Sequence, residues 1–525
     1  MAYCKNCGRE LKNGVAFCTY CGTKTDSQIP APKKNTRIAF KPLLLGAVIL
    51  ILAALVIGVG VKRFRGGANE SNSAKATKKE AVAGNKAVKE EKKEDNKETK
   101  QNYEKVTDFE YKIKDNTVSI TKYKGHDLDV VIPDTIEGLP VTEIGDKVFA
   151  SMNIYTVKLP KNLETIQNSA FSHSSIKEIV FPEGLKNICE SAFSQTDKLK
   201  EVTFPSSVEF IGYNCFGHSA LEKITFIKGK QMAVIGEYAF NECENLNCDI
   251  VIPGNYMVIE EYAFCKTGST TFTWEPAEYD GEIVFGNGVF RESGVKEVNI
   301  QMGISEVPLS AFCLCKELKK YEIPSTVTYI KDDAFAGCQS LESINLHEGL
   351  TMLGVRAFEK CSSITQIILP STIEEIHGGC FTDCTSVTSI EFKEGEKPAS
   401  INGGVFTNCG DVEEIYIPKN YTRLEAGFVF HSLKLFRWET GGEKFPEQII
   451  TENCIIGGAS DVEIFFPRGM IFESEIKQID KNPVIQTYTS MLISGTNYRK
   501  VKIHVDRDNP IAQFDEYSEF FEYYD

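Results

Sequence analysis

The chain has 525 residues, of which 42% are apolar and 17 are cysteine, and its formal charge is −15. That is enough apolar material for several domains or one long array, and the charge is unevenly placed: residues 1–105 sum to +11 and the remaining 420 to −26. The acidic C-terminal part lacks the basic footprint that phosphate contacts need, so nucleic acid is excluded as its expected ligand.

Residues 1–28 contain YCKNCGRELKNGVAFCTYCGTK, with Cys4, Cys7, Cys18 and Cys21 in the spacing C-x2-C-x10-C-x2-C. Glycines Gly8 and Gly22 follow the two pairs, so each pair can turn as a knuckle and offer two thiolates to one tetrahedral Zn2+. A segment this short cannot bury a core, and metal binding would supply its folding free energy. Four thiolates leave no open coordination position, which points to a structural zinc. The segment resembles the short zinc-ribbon modules at the N-termini of many bacterial membrane proteins.

A basic linker, residues 29–41, leads to PLLLGAVILILAALVIGVGV at 42–61, a stretch without a charge. As a helix it would be about 30 Å long, the thickness of the hydrocarbon core, so a single transmembrane helix in the lipid bilayer is expected. The long polar segment ahead of it, and KRFR behind it with no small-residue cleavage site, disfavour a signal peptide. Basic residues flank both ends, Lys33, Lys34, Arg37 and Lys41 before and Lys62, Arg63 and Arg65 after, so charge does not orient the span. A thiolate zinc site suits the reducing cytosol, which places the N-terminus inside the cell and the C-terminus outside. Residues 62–105, including KATKKEAVAGNKAVKEEKKEDNKETK, nearly lack large apolar side chains and are expected to be a charged disordered stalk.

From residue 106 the chain repeats. A phenylalanine returns at Phe149, Phe171, Phe193, Phe216, Phe240, Phe264, Phe290, Phe312, Phe335, Phe358, Phe381, Phe406 and Phe430, at a mean interval of about 23 residues. In LKEVTFPSSVEFIGYNCF (199–216), Leu199, Val202 and Phe204 make a strand row that Pro205 closes. Val208, Ile211, Cys215 and Phe216 then suit a turn followed by a short helical return. The expected fold class is a β-rich (β/α) leucine-rich-repeat solenoid of about 13 repeats over 106–432, with a parallel sheet of short strands stacked at about 4.8 Å.

Rows such as IKEIVFP, LKEVTFP and ITQIILP, with returns such as LKNICESAF and VTYIKDDAF, resemble the BspA type of bacterial leucine-rich repeat. The opening DFEYKIKDNTVSITKYKGHDLDVVIPDTIEGLPVTEIGDKVF (108–149) looks like that family's N-terminal unit. Residues 265–289, CKTGSTTFTWEPAEYDGEIVFGNG and its flank, stretch one interval to 26 and are expected to replace the usual strand row. Residues 433–525 are expected to be degenerate repeats and a C-terminal cap. The resemblance implies adhesion to host or neighbouring-cell proteins.

Thirteen cysteines lie beyond the ribbon, and Cys243, Cys315, Cys338, Cys361, Cys384 and Cys409 each follow their ladder phenylalanine by three places. Disulfides, metal ligation and nucleophilic chemistry are alternatives, but a recurring column of buried small side chains is the expectation, and an odd total weakens full pairing. The seven histidines fall at scattered phases of the repeat, with no GxSxG, HExxH or phosphate-cradling glycine loop. No catalytic residue and no small-molecule substrate is expected.

What remains is a surface. Alternate strand residues point outward in one column, Lys158, Val180, Thr203, Thr225, Asn299, Glu322, Asn345, Ile368, Glu391 and Tyr416, beside a second running from Glu178 and Glu201 to Glu414. These columns suit an extended protein ligand, without the aromatic stripe of a glycan site or the basic stripe of a phosphate site. The expected protein is a membrane-anchored, non-enzymatic recognition protein carrying a cytoplasmic ribbon with one structural Zn2+ and an extracellular solenoid. The alternatives are a transmembrane sensor or envelope scaffold whose ribbon contacts a cytosolic partner, and an enzyme within 431–525.

Overall fold

The computed structural model describes residues 106–450 apart from 278, 280, 282, 426–427, 431 and 446–447, together with 2–3, 10–11, 456–457, 463–467, 471–472, 493–494, 502–505 and 521–523. The ribbon cysteines, the linker 29–41, the apolar segment 42–61 and the stalk through residue 105 lie outside the described residues. Among the described residues no helix is long and apolar enough to cross a membrane.

The array begins with an antiparallel hairpin, Phe109–Lys114 and Thr117–Tyr123. Its turn residues Asp115 and Asn116 have φ of 50° and 59°, a region that Asx side chains tolerate better than most. Thr117–Tyr123 then pairs in parallel with Leu139–Ile144, and from there every coil lies beside the last.

A fully paired coil has three hydrogen-bonded sides. The first row is the strand read from the sequence: in Glu201–Phe204, Val202 and Phe204 are buried while Glu201 and Thr203 face out. The strand Lys223–Phe226 repeats this pattern in parallel register, Glu201 beside Lys223 and Phe204 beside Phe226. The second row holds Asn187–Ile188, Phe210–Ile211 and Ala233–Ile235, again parallel and continuous from coil to coil. The third side is a turn, in which the Phe193 amide donates to the Cys215 carbonyl at 2.8 Å and the Phe335 amide to the Ala357 carbonyl at 2.7 Å.

The expected helical return is therefore corrected. Ile211 belongs to a second strand, and Cys215 and Phe216 to a turn flanked by two left-handed residues, Asn214 (φ 48°) and His218 (φ 58°). The same pair recurs two places before and two places after the ladder phenylalanine, as at Ser191 and Gln195 or Arg356 and Lys360. Two left-handed residues four apart cannot lie in a right-handed helix. Gly212, four places before Phe216, marks where the turn presses on the previous coil, since a Cβ there would sit 2.7 Å from the Cys189 carbonyl carbon.

Stacking the coils turns the phenylalanines into a continuous pile. From Phe149 to Phe406, successive ring centroids are 4.9–5.8 Å apart with interplanar angles of 3–12°. The step to Phe430 opens to 6.5 Å and 41°. Offset contacts at such separations are favourable, and each ring is fully buried.

Residues 265–289 keep the row they were expected to lose. Thr271–Trp274 pairs with Ile250–Ile252 on one side and Glu297–Ile300 on the other, and the extra length lies between Trp274 and Val284. The Trp274 indole donates to the Tyr256 carbonyl at 2.8 Å; the Trp438 indole does the same to Tyr421 at 2.9 Å, 165 residues later for the tyrosines. In both places a buried asparagine, Asn255 or Asn420, donates to the backbone of the preceding loop, at Gln231 or Lys397. A specialised coil thus occurs twice. Beyond residue 432 the first row continues in parallel from Leu435–Trp438 to Glu463–Phe465, Lys502–Val505 and Phe521–Tyr523.

Candidate recognition face and zinc ribbon

The recurring cysteines are buried and free. Each Sγ donates to the carbonyl of the ladder phenylalanine in the preceding coil: Cys243 to Phe216 at 3.2 Å, Cys315 to Phe290 at 2.8 Å, Cys338 to Phe312 at 3.1 Å, Cys361 to Phe335 at 3.2 Å, Cys384 to Phe358 at 3.1 Å and Cys409 to Phe381 at 3.0 Å. Hydroxyls take the same place elsewhere, as Thr196 and Thr267, which donate to their own Phe193 and Phe264 carbonyls. The position therefore asks for a small side chain with a donor. Burial pushes the thiols up, to about 11 for Cys243 and about 12 for Cys315, and raises Cys338, Cys361 and Cys380 as well. Burial thus keeps these thiols protonated at neutral pH and makes them poor nucleophiles.

Four described histidines are engaged locally. His218 meets Glu242 at 2.8 Å, His377 meets Glu375 at 3.0 Å and His504 meets Glu463 at 2.9 Å, while His347 bonds the Pro324 and Glu348 carbonyls.

Near the N-terminus Ala2–Tyr3 pairs antiparallel with Glu10–Leu11, Ala2 opposite Leu11. The segment joining them carries Cys4 and Cys7. Four soft thiolate donors in two x2 pairs are a donor set that fits tetrahedral Zn2+. Among the described residues no cluster of three or more His, Cys, Asp or Glu could hold a metal ion.

On the solenoid, the first-row columns are exposed as their alternation requires. Lys158, Thr203, Asn299, Glu322, Asn345, Glu391 and Tyr416 are exposed, and Thr225 is half-buried. Thr203 lies beside Thr225 across one ladder step, whereas Asn345 sits in a coil whose first row is not a paired strand. The register adds two members that the sequence left out: Val251 beside Thr273, and Thr273 beside Asn299. Both follow alternating rows, DIVIP and TFTWEP, that the lengthened loop disguised. Several charges on this face are already paired, Lys200 with Glu222 and Lys320 with Glu322, each at 2.7 Å.

Parallel coils of this length, a phenylalanine pile and an exposed strand face define a leucine-rich-repeat solenoid. The BspA type leucine rich repeat region matches in overlapping stretches spanning residues 129–435, more than half of the chain. The chain therefore belongs to the BspA type leucine-rich-repeat family. A zinc-ribbon domain matches residues 3–25. No curated protein matches.

Among solved structures, a leucine-rich repeat protein from Bacteroides ovatus is 21% identical, covering 63% of this chain and 98% of its own, with a TM-score of 0.36. The pneumococcal vaccine antigen PcpA is 18% identical over 76% of this chain and 97% of its own, with a TM-score of 0.40. A leucine rich cell surface protein from Faecalibacterium prausnitzii is 22% identical over 55% of this chain and 93% of its own, with a TM-score of 0.24.

Proposed function

We propose that this chain is a membrane-anchored, non-enzymatic recognition protein whose first-row strand face binds a protein ligand outside the cell. The observation that carries this reading is the face itself: two outward columns, mixed in charge, held in register by parallel pairing on a buried core. A rigid array of this kind meets an extended partner without ordering cost of its own. Residues 42–61 would cross the bilayer, with the stalk through 105 as spacer. Cys4, Cys7, Cys18 and Cys21 would hold one structural Zn2+ in the cytoplasm.

Protease shaving of intact cells tests the arrangement. Release of fragments from residues 106–525, with residues 1–28 protected, is the expected result; survival of the solenoid refutes extracellular display. The zinc-ribbon match favours one second reading, a sensor or scaffold whose ribbon engages a cytosolic partner. Cys18→Ser with Cys21→Ser separates the two: the second reading requires loss of function with surface display intact.

A further inference from the structure

The first row is interrupted at four places, and at the earliest of these, between Glu178–Ile179 and Glu201–Phe204, a cleft of about 730 Å3 opens on the strand face. The second row runs through unbroken, Asn187 beside Phe210, and so does the turn ladder, Phe193 to Cys215. Only the first-row side of the coil has come apart.

The break is visible in the backbone bonds. Neighbouring coils bond at equivalent places, the Lys177 amide to Tyr155 at 2.8 Å and the Glu222 amide to Lys200 at 2.7 Å. The corresponding bond here would join the Lys200 amide to the Lys177 carbonyl, and it is missing. Pro205 removes a further donor at the far end of the strand. The rings behind the gap also spread: Phe181 and Phe204 are 6.0 Å apart, against 4.8 Å for Phe204 and Phe226.

The lining is apolar at the centre and acidic at the edge. Val180 is 82% exposed, the most exposed large apolar side chain among the described residues, and Ile227 is 43% exposed. The lining lysines are engaged: Lys177 lies 3.7 Å over the Tyr155 ring, Lys198 meets Asp197 at 3.1 Å, and Lys200 meets Glu222 at 2.7 Å. Glu178 and Glu201 line the same cleft with no ion-pair partner. Lys177 keeps its charge over the neutral ring, but Glu178, Glu183 and Glu201 outnumber it, so the uncompensated charge is negative.

We propose that this cleft is a docking site for an extended segment of a protein partner that presents an aliphatic side chain to Val180 and flanking lysine or arginine side chains to Glu178 and Glu201. Affinity comes from the apolar contact with Val180 and Ile227, and specificity from the carboxylates. The inference rests on the reading of the strand face as a protein-binding surface and names where on it, and by what chemistry, the partner is held.

The test uses the full chain in detergent micelles and three fluorescein-labelled heptapeptides: alternating Lys-Val, alternating Glu-Val and alternating Lys-Ser. Anisotropy should show binding of Lys-Val, at least about tenfold weaker binding of Lys-Ser, and none of Glu-Val. Val180→Lys, or Glu178→Lys with Glu201→Lys, should weaken the Lys-Val peptide at least about tenfold, whereas Glu244→Lys, exposed on a turn away from the strand face, should leave it unchanged. All of these side chains are exposed, so the variants keep the fold, and circular dichroism checks that they do.

No binding of Lys-Val, or equal losses in Glu244→Lys and Val180→Lys, overturns the cleft as the site. So does a concentration-dependent dimer, seen by light scattering, that Val180→Lys abolishes, because the occupant would then be a second copy of the chain. Any of these outcomes leaves the broader reading standing if shaving still places the solenoid outside the cell.

Discussion

Replacing Phe335 by alanine removes one ring from the middle of the phenylalanine pile. Phe335 is fully buried, stacked on Phe312 at 5.1 Å and 11° and on Phe358 at 5.2 Å and 3°, with Tyr321 at 5.3 Å. Burying such a side chain is worth about 1.5–3 kcal/mol, and each of the two stacked contacts adds about 0.5–1.5 kcal/mol. The total agrees with the roughly 3–5 kcal/mol usual for deleting a core phenylalanine. With a urea dependence of about 3 kcal/mol per molar, the unfolding midpoint should fall by about 1–1.7 M. The only two tryptophans, Trp274 and Trp438, lie on either side of Phe335 in the array, so intrinsic fluorescence reports both flanks. Tyr416→Ala, at a side chain 48% exposed, is the control and should move the midpoint little. An unchanged midpoint in Phe335→Ala would refute the idea that the pile holds neighbouring coils together.

The thiol column gives an alkaline signature. A free thiol titrates near 8.5, but burial raises Cys243 to about 11 and Cys315 to about 12, so between those values the unfolded chain has lost protons that the folded chain keeps. Stability should therefore be intact below about pH 8.5 and fall above it by about 1.4 kcal/mol per pH unit for each such thiol, followed by urea melts and thiolate absorbance. Native Cys338 and Cys361 should resist Ellman's reagent until the chain unfolds, and rapid labelling at pH 8 would contradict their burial. Trp274→Phe leaves the buried Tyr256 carbonyl without its indole donor and should cost about 1–3 kcal/mol in a denaturant melt, as should Trp438→Phe at Tyr421. Elemental analysis of the purified chain should find one zinc per chain, lost in Cys18→Ser with Cys21→Ser while the thermal midpoint of the solenoid stays unchanged.

Much of the array was legible because its information is local and repeated. One phenylalanine every 23 or so residues, an alternating row and a closing proline recur often enough that accidental patterns average out. The same repetition carried Cys338 from candidate chemistry to packing, and the contact it makes, Sγ to the Phe312 carbonyl, follows from its place in the coil. The return was harder to read. Val208, Ile211, Cys215 and Phe216 have helical spacing, but the left-handed residues at Asn214 and His218 follow from backbone pairing with the next coil. Thr271–Trp274 was misjudged for a related reason, since counting residues across a lengthened loop hides a row that pairing restores.

By itself the sequence determined the solenoid, its core ladders, the outward columns and the thiolate spacing of the ribbon, because each depends on side-chain type at a fixed interval within one coil. Only the tertiary structure decided that the third side is a turn, that the specialised tryptophan coil occurs twice, and that the first row parts between Glu178–Ile179 and Glu201–Phe204. Those features depend on how the backbones of neighbouring coils meet, which no residue pattern within one coil specifies: coils entering the first row five and six places after the ladder phenylalanine pair at Glu297 and Lys320 but part between Glu178–Ile179 and Glu201–Phe204.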